Sequence, residues 1–212
     1  MNKVISIGNQ GFDKIRENDY FYVDKTGFIK EWWESGDDVT LITRPRRFGK
    51  TLNMDMLKCF FSNQYTGRAD LFEGLSIWKE EKYRELQGQY PVIFVSFADV
   101  KERDYESAVR KIKHILVDLY LQYEFLKKNF SESEQMRYRQ ISYNMDNVAA
   151  QDALKSLAAL LSSYYGKKAI ILLDEYDTPM QEAYIHGYWE EFTGFMRSMF
   201  NATFKTNPYL ER

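Results

Sequence analysis

The sequence predicts an α/β fold, with a mainly parallel sheet flanked by helices, on three observations. Short apolar runs rich in β-branched residues, typical of buried strands, cover residues 39–43, 92–97 and 169–173. Segments with a helical spacing of apolar residues lie between these runs. The length of 212 residues suffices for one large domain. Strands that alternate with helices favour parallel pairing through right-handed crossovers.

Each element follows from local sequence signals. The first predicted strand is apolar and β-branched, the second follows a break at Pro91, and the third is apolar throughout. Ser131 and Glu134 form a capping-box pattern at the start of a further helix. The other predicted helices are 26–33, 52–61, 80–86, 105–128, 152–165 and 190–204.

The domain organisation that we expect has two parts. Residues 1–36 form an N-terminal segment ahead of the first strand, and residues 37–212 form the core. The helical stretch from about residue 104 to residue 165 is longer than one crossover between parallel strands needs. We therefore expect a helical insertion within the core.

A basic loop between the first predicted strand and the next helix has the pattern of a phosphate-binding loop. Gly49, Lys50 and Thr51 match the end of the pattern G-x-x-x-x-G-K-[ST], and Arg44 stands where its first glycine belongs. A loop that enters a helix directs several backbone N–H groups at one point, where the helix dipole adds positive potential. We predict that Lys50 contacts the outer phosphates of a nucleotide and that Thr51 ligates Mg²⁺. The alternative is a basic turn that only begins a helix.

The residues ahead of Lys50 define which groups can hold phosphate. Pro45 has no N–H, so the amides from Arg47 through Phe48 and Gly49 to Thr51 must supply most of the cradle. Arg46 and Arg47 are predicted to contact phosphate through their side chains. Contact with a bound nucleic acid and ion pairing at the protein surface are the alternatives for both arginines.

The third predicted strand ends in two carboxylates. Asp174 and Glu175 follow the apolar run directly, at the strand end where open α/β sheets place their ligands. We predict that Asp174 holds the Mg²⁺ shell and that Glu175 is the general base that polarises the attacking water. The alternative is a strand end with a solvated acidic turn. Glu175 and Lys50 are therefore the candidate catalytic residues.

Composition narrows the class of protein. Apolar residues make up 44% and charged residues 28% of the chain, which is an ordinary globular balance. The net charge of −2 gives no overall attraction to nucleic acid. The single cysteine, Cys59, excludes an internal disulfide and is expected to be a small buried hydrophobe. With no signal peptide or membrane span in the sequence, we expect a cytoplasmic protein without a membrane partner.

Four phrases of the sequence resemble one family. They are YVDKT at residues 22–26, RPRRFGKT at 44–51, DLFEGL at 70–75 and LDEYD at 173–177. Over essentially the whole chain they resemble the predicted AAA-ATPase-like family of P-loop NTPases. In that family the substituted first glycine is the norm. The resemblance implies a nucleotide-binding core with ATP and Mg²⁺ as its ligands.

The resemblance also concerns the base of the nucleotide. Related ATPases contact adenine with a segment that precedes the loop strand, which implies that Phe12, Arg16 and Tyr22 line the base. A packed lid is the alternative for these aromatic residues. No N-K-x-D pattern, which reads guanine, occurs in the sequence. We therefore expect ATP to be preferred over GTP.

Longer members of the family extend the expectation beyond this chain. They continue past the position of Arg212 into a strand that carries a polar sensor residue, so we expect the core to be truncated before that strand. Longer members commonly add a C-terminal domain similar to PD-(D/E)xK nucleases, which leaves nucleic acid open as a partner of a full-length protein. Three functions remain: a Mg²⁺-dependent ATPase, a nucleotide-dependent switch with little turnover, and a nucleic-acid-associated module. Retention of both Lys50 and Glu175 favours the first two.

Overall fold

The computed structural model describes residues 3–43 and 48–212. The described chain is a helix-rich α/β protein with a small parallel sheet of two strands. It divides into two compact units, one from the N-terminal residues to Val92 together with Arg212, and the other from Ile93 to Glu211. Each unit has its own buried core.

Among its described residues, the first unit contains four α-helices, with short 3₁₀ turns between residues 63 and 79. Its core is aromatic: the ring of Phe72 packs against the rings of Phe12 and Phe60, with centroids 5.1 and 5.0 Å apart. The buried carboxylate of Asp55 accepts a hydrogen bond of 2.7 Å from the backbone N–H of Phe12. This bond ties the first helix to the third. The helices are α1 (Phe12–Glu17), α2 (Gly27–Glu34), α3 (Lys50–Phe61) and α4 (Glu81–Arg84).

The second unit is built around the sheet. Strand β1 (Val92–Ser96) pairs with β2 (Ile170–Asp174), and both strands are largely buried. The connection between them is helical, and more helices follow β2 before a π-helical turn at Asn201–Lys205. The helices are α5 (Tyr105–Leu121), α6 (Glu132–Gln140), α7 (Asn147–Tyr165), α8 (Asp177–His186) and α9 (Trp189–Phe200).

A further parallel pairing begins at the start of β2. Ala169 donates its N–H to the carbonyl of Tyr209 and accepts from the N–H of Glu211, both at 2.8 Å, so it forms a parallel bridge with Leu210. Asp174, five residues along, accepts from Phe97 after β1. Because peptide groups along a strand point alternately to its two edges, this odd spacing places the two neighbours on opposite edges of β2. Leu210 therefore pairs beside the start of β2, on the edge opposite the one that pairs with β1.

The predicted strand at residues 39–43 is wrong. These residues belong to no strand or helix, and Val39 and Leu41 are 54% and 63% exposed. A strand is stable only when a neighbour satisfies its backbone N–H and C=O groups. Within residues 3–43 and 48–212, no strand pairs with this segment. The sheet is therefore smaller than the expected one, whereas the α/β character and the two other strands are confirmed.

The predicted helices and the predicted capping box are confirmed. The six helical segments correspond to α2, α3, α4, α5, α7 and α9, although α5 ends at Leu121 and a 3₁₀ segment covers the remainder. Ser131 and Glu134 form the reciprocal hydrogen bonds of a capping box at α6. The expected division of the chain at residue 36, with an insertion at about 104–165, stays a prediction.

Candidate functional site

The start of α3 has the backbone geometry of an anion-binding helix end. Gly49 precedes the helix in the left-handed conformation, with φ +76°, which glycine adopts without the steric cost that a side chain brings. The first helical hydrogen bond joins the N–H of Asn53 to the carbonyl of Gly49 at 3.0 Å. The preceding amides, from Lys50 to Leu52, have no partner inside the helix. No described side chain caps this helix end. Such a start can bind phosphate through backbone N–H groups.

The side chains of the predicted loop are placed only in part. Lys50 and Thr51 are the first two residues of α3 and are half-buried, and Phe48 is 58% exposed. Arg46 and Arg47 lie outside the described residues, and so does Arg44 at the substituted glycine position. Their contact with phosphate stays a prediction. Contact of these arginines with nucleic acid stays a prediction as well.

The two aromatic residues expected at the base are packed inside the first unit. Phe12 is fully buried, and its ring meets the edge of Tyr22 with centroids 5.4 Å apart. The hydroxyl of Tyr22 donates to Sδ of Met56 at 3.3 Å. Burial raises the pKa of the Tyr22 hydroxyl to about 12, in keeping with its packed position. This packing favours the alternative of a packed lid, and it leaves Phe12 no surface for a base.

The acidic strand end lies in the second unit. Asp174 is the last residue of β2 and is only 5% exposed. Glu175 follows with φ +52°, a left-handed conformation that is uncommon for residues other than glycine. The Glu175 carboxylate accepts a hydrogen bond of 3.1 Å from the hydroxyl of Thr178, and its carbonyl accepts from the Thr178 N–H at 3.1 Å. Backbone strain of this kind costs about 1–3 kcal/mol and is concentrated at functional sites.

As far as the structure describes them, neither the start of α3 nor the end of β2 contains a preformed metal-binding cluster. Among the described residues, no group of three or more histidine, cysteine, aspartate or glutamate side chains could hold a metal ion. One threonine and one aspartate suit Mg²⁺ only if nucleotide oxygens and water complete the shell, which is how nucleotide sites bind this ion. The roles of Thr51 and Asp174 as Mg²⁺ ligands stay predictions. In the part of the chain that the structure describes, no helix is long and apolar enough to cross a membrane.

Sequence reasoning missed one residue beside the loop. A Cβ atom added to Gly49 would lie 3.6 Å from the ammonium nitrogen of Lys25. Lys25 is separated from Gly49 by 24 positions, so no local spacing connects the two. The only sequence signal for Lys25 is its place in the phrase YVDKT at residues 22–26, which indicates the family but assigns no role to this lysine.

A helix that begins with Lys50 and Thr51 directly after a left-handed glycine is typical of proteins that bind nucleotide phosphates. A family model described as "Predicted AAA-ATPase" matches residues 6–212, and the chain belongs to this family. The chain is also 31% identical, over 179 residues, to a protein of Azotobacter chroococcum mcd 1 named "Uncharacterized protein in vnfD 5'region". The match covers 84% of this chain and 30% of the length of that protein. No solved structure matches the chain.

Proposed function

We propose that this chain binds ATP with Mg²⁺ at the start of α3 and acts as an ATPase. The observation that carries the proposal is the helix start itself: left-handed Gly49, no side-chain cap on the described helix end, and Lys50 as the first helical residue. Three helix amides without helical partners and a lysine form a positive site of the size of a phosphate group. Membership of a predicted AAA-ATPase family supports ATP as the ligand.

The proposal assigns one role to each functional side chain. Lys50 neutralises the outer phosphates, and the hydroxyl of Thr51 ligates Mg²⁺. Asp174 would help to hold Mg²⁺ through bound water, and Glu175 would position the attacking water. The buried position of Asp174 and the left-handed backbone at Glu175 support these two roles, because both features constrain the carboxylates at the end of β2.

Calorimetry tests the binding step directly. ATP with Mg²⁺ is titrated into the parent protein, into Lys50→Ala and into Lys79→Ala, in which an exposed lysine of the same unit is removed. Loss of the principal phosphate cation is expected to lower ATP affinity by about a hundredfold, since hydrogen bonds to charged groups contribute about 1.5–3 kcal/mol each. Lys79→Ala is expected to bind as the parent does. Equal affinities of Lys50→Ala and the parent would refute the proposal.

A nucleotide-dependent switch with little turnover is the second candidate, and one observation favours it. Residues 39–43 lead into the loop without joining a strand, and Val39 and Leu41 are largely exposed. A loop without a strand to anchor it holds phosphate less rigidly, and a displacement of about 1 Å can reduce a catalytic rate roughly a hundredfold. Single-turnover hydrolysis, measured with ATP fully bound, separates the two candidates. Competition with GTP tests the expected preference for ATP.

A further inference from the structure

The ammonium group of Lys25 lies beside the proposed phosphate site. Its nitrogen would be 3.6 Å from a Cβ atom on Gly49, the residue whose left-handed backbone starts α3. Lys25 is solvent-exposed, so packing of its side chain does not explain why its ammonium group lies beside Gly49. The cause of its position therefore lies in the segment that carries it.

Both neighbours of Lys25 along the chain are fixed by hydrogen bonds. The carboxylate of Asp24 accepts from the N–H and the hydroxyl of Thr26, at 2.9 and 2.6 Å. The same carboxylate accepts from the N–H of Ser76 at 2.8 Å and from the Ser76 hydroxyl. Thr26 is fully buried and accepts from the N–H of Ile77 at 3.2 Å. The backbone on either side of Lys25 is thus anchored to the turn at residues 76–77.

A second set of contacts anchors the segment to α3 itself. The N–H of Lys25 donates to the hydroxyl of Tyr22 at 3.4 Å, and this hydroxyl donates to Sδ of Met56 at 3.3 Å. Met56 lies two turns into α3 and is fully buried. The lysine is therefore held against the same helix whose start its ammonium faces. Contacts within the first unit thus fix the backbone position of Lys25.

Positive charge predominates around Lys25, and a bound anion would compensate it. The nearest carboxylate along the chain, Asp24, directs its two oxygens at Thr26 and Ser76. Within residues 3–43 and 48–212, no carboxylate forms an ion pair with Lys25. The start of α3 carries partial positive charge from the helix dipole, and Lys50 adds a further cation. Groups of like charge held together repel one another unless a polyanion binds between them.

We infer that Lys25 is a second phosphate-binding cation of the nucleotide site, with the β-phosphate as its partner. The inference rests on the proposed function at the start of α3. The backbone around the loop glycine holds the α- and β-phosphates in sites of this type, while the loop lysine reaches the β- and γ-phosphates. An ammonium beside Gly49 therefore meets the β-phosphate, which ATP and ADP share.

The test compares two nucleotides across matched variants. ATP and ADP, each with Mg²⁺, are titrated by calorimetry into the parent, Lys25→Gln, Lys25→Arg and the control Lys79→Gln. Lys25→Gln is expected to lose about tenfold or more in affinity for both nucleotides, since one charge-assisted hydrogen bond is removed. Lys25→Arg keeps the charge and is expected to retain most of the affinity. Thermal melting of the exposed-site variants is expected to match the parent, which separates lost binding from lost folding.

The outcomes separate this inference from the proposed function. If the parent binds ATP, Lys50→Ala does not, and Lys25→Gln binds as the parent does, then Lys25 is no phosphate ligand and the proposed function stands. A loss for ATP with unchanged ADP affinity would also overturn the inference, because the β-phosphate would not be the partner. If the parent binds neither nucleotide, the proposed function and the inference both fail.

Discussion

The start of α3 and the end of β2 were predicted from the same kind of pattern, and only one of them has the expected support. In each region an apolar run leads into polar residues suited to phosphate or Mg²⁺. The run at 169–173 forms β2, largely buried and paired with β1. The run at 39–43 forms no strand, and its residues are mostly exposed. The candidate site residues follow the apolar run in both cases, but Asp174 ends a strand, whereas Lys50 begins a helix.

This contrast shows which parts of a sequence motif depend only on neighbouring residues and which depend on a distant partner. A helix satisfies its hydrogen bonds within its own segment, so α3 begins at Lys50 whether or not a strand precedes it. A strand needs a neighbour, and residues 170–174 have β1 on one edge while the adjacent Ala169 has Leu210 on the other. The left-handed conformation of Gly49 at the start of α3 can therefore form independently of the predicted loop strand.

Hydrogen exchange gives the largest expected contrast between the two regions. Amides of β2 should be protected by about a thousandfold or more over those of residues 40–43, because a buried strand opens only with much of its unit, at a cost of about 5 kcal/mol or more. Residues 40–43 have no described strand partner and should exchange like an unstructured segment. Mass spectrometry of the two peptides measures the ratio. Similar protection in both would show that residues 39–43 are paired in solution.

Prediction from the sequence succeeded where the signal is local. The capping box at Ser131 and Glu134 and the helix starting at the Gly-Lys-Thr phrase follow from residues within a few positions of one another. The burial of Cys59 in α3 was likewise confirmed, as expected of a free cysteine, which is among the most buried residue types. Such features need only the intrinsic preferences of a short segment.

The features that could not be predicted depend on residues far apart in the chain. Lys25 reaches Gly49 because Asp24 is held by Ser76, 52 positions away. Phe12 is closed off from solvent by Phe72 and by the hydrogen bond of its N–H to Asp55, 43 positions away. The failure of residues 39–43 to form a strand has the same origin, since it depends on whether a partner strand is present.

At the end of β2, the two carboxylates should separate binding from turnover. In a form of the protein that hydrolyses ATP measurably, Glu175→Gln should keep ATP affinity and lose about a hundredfold or more in single-turnover rate, because a general base contributes roughly 10²- to 10⁴-fold. Asp174→Asn should instead weaken binding in the presence of Mg²⁺ and leave binding in its absence unchanged. The reverse pattern would exchange the two roles, and no effect of either variant would leave the start of α3 as the only functional half.

The smallest expected effect concerns the segment that holds Lys25 at the start of α3. Desolvation alone would raise the pKa of Asp24, but hydrogen bonds from Ser76 and Thr26 outweigh it and lower the pKa to about 2 from 3.8. A carboxyl whose folded pKa is depressed stabilises the fold above its unfolded pKa and loses that contribution as pH falls through the folded pKa.

The free energy of unfolding, measured by urea titration, should therefore differ between the parent and Asp24→Asn by a nearly constant amount above about pH 5. The difference should shrink as pH falls from about 4 to 2, because the parent then protonates Asp24 and loses the same hydrogen-bonded carboxylate that the variant lacks. Asp70→Asn is the control, since Asp70 is an exposed carboxyl of the same unit whose pKa is also lowered, chiefly by its hydrogen bonds with Arg68, and whose contacts are to Arg68 and to its own neighbouring backbone, not to the segment of Lys25. At neutral pH, Asp24→Asn should also lower ATP affinity, because Lys25 is no longer anchored beside Gly49, whereas Asp70→Asn should not. If the stability difference between the parent and Asp24→Asn stays constant down to pH 2, Asp24 does not stabilise the fold through its charge. If Asp24→Asn binds ATP as tightly as the parent does, the hydrogen bonds of Asp24 do not position Lys25.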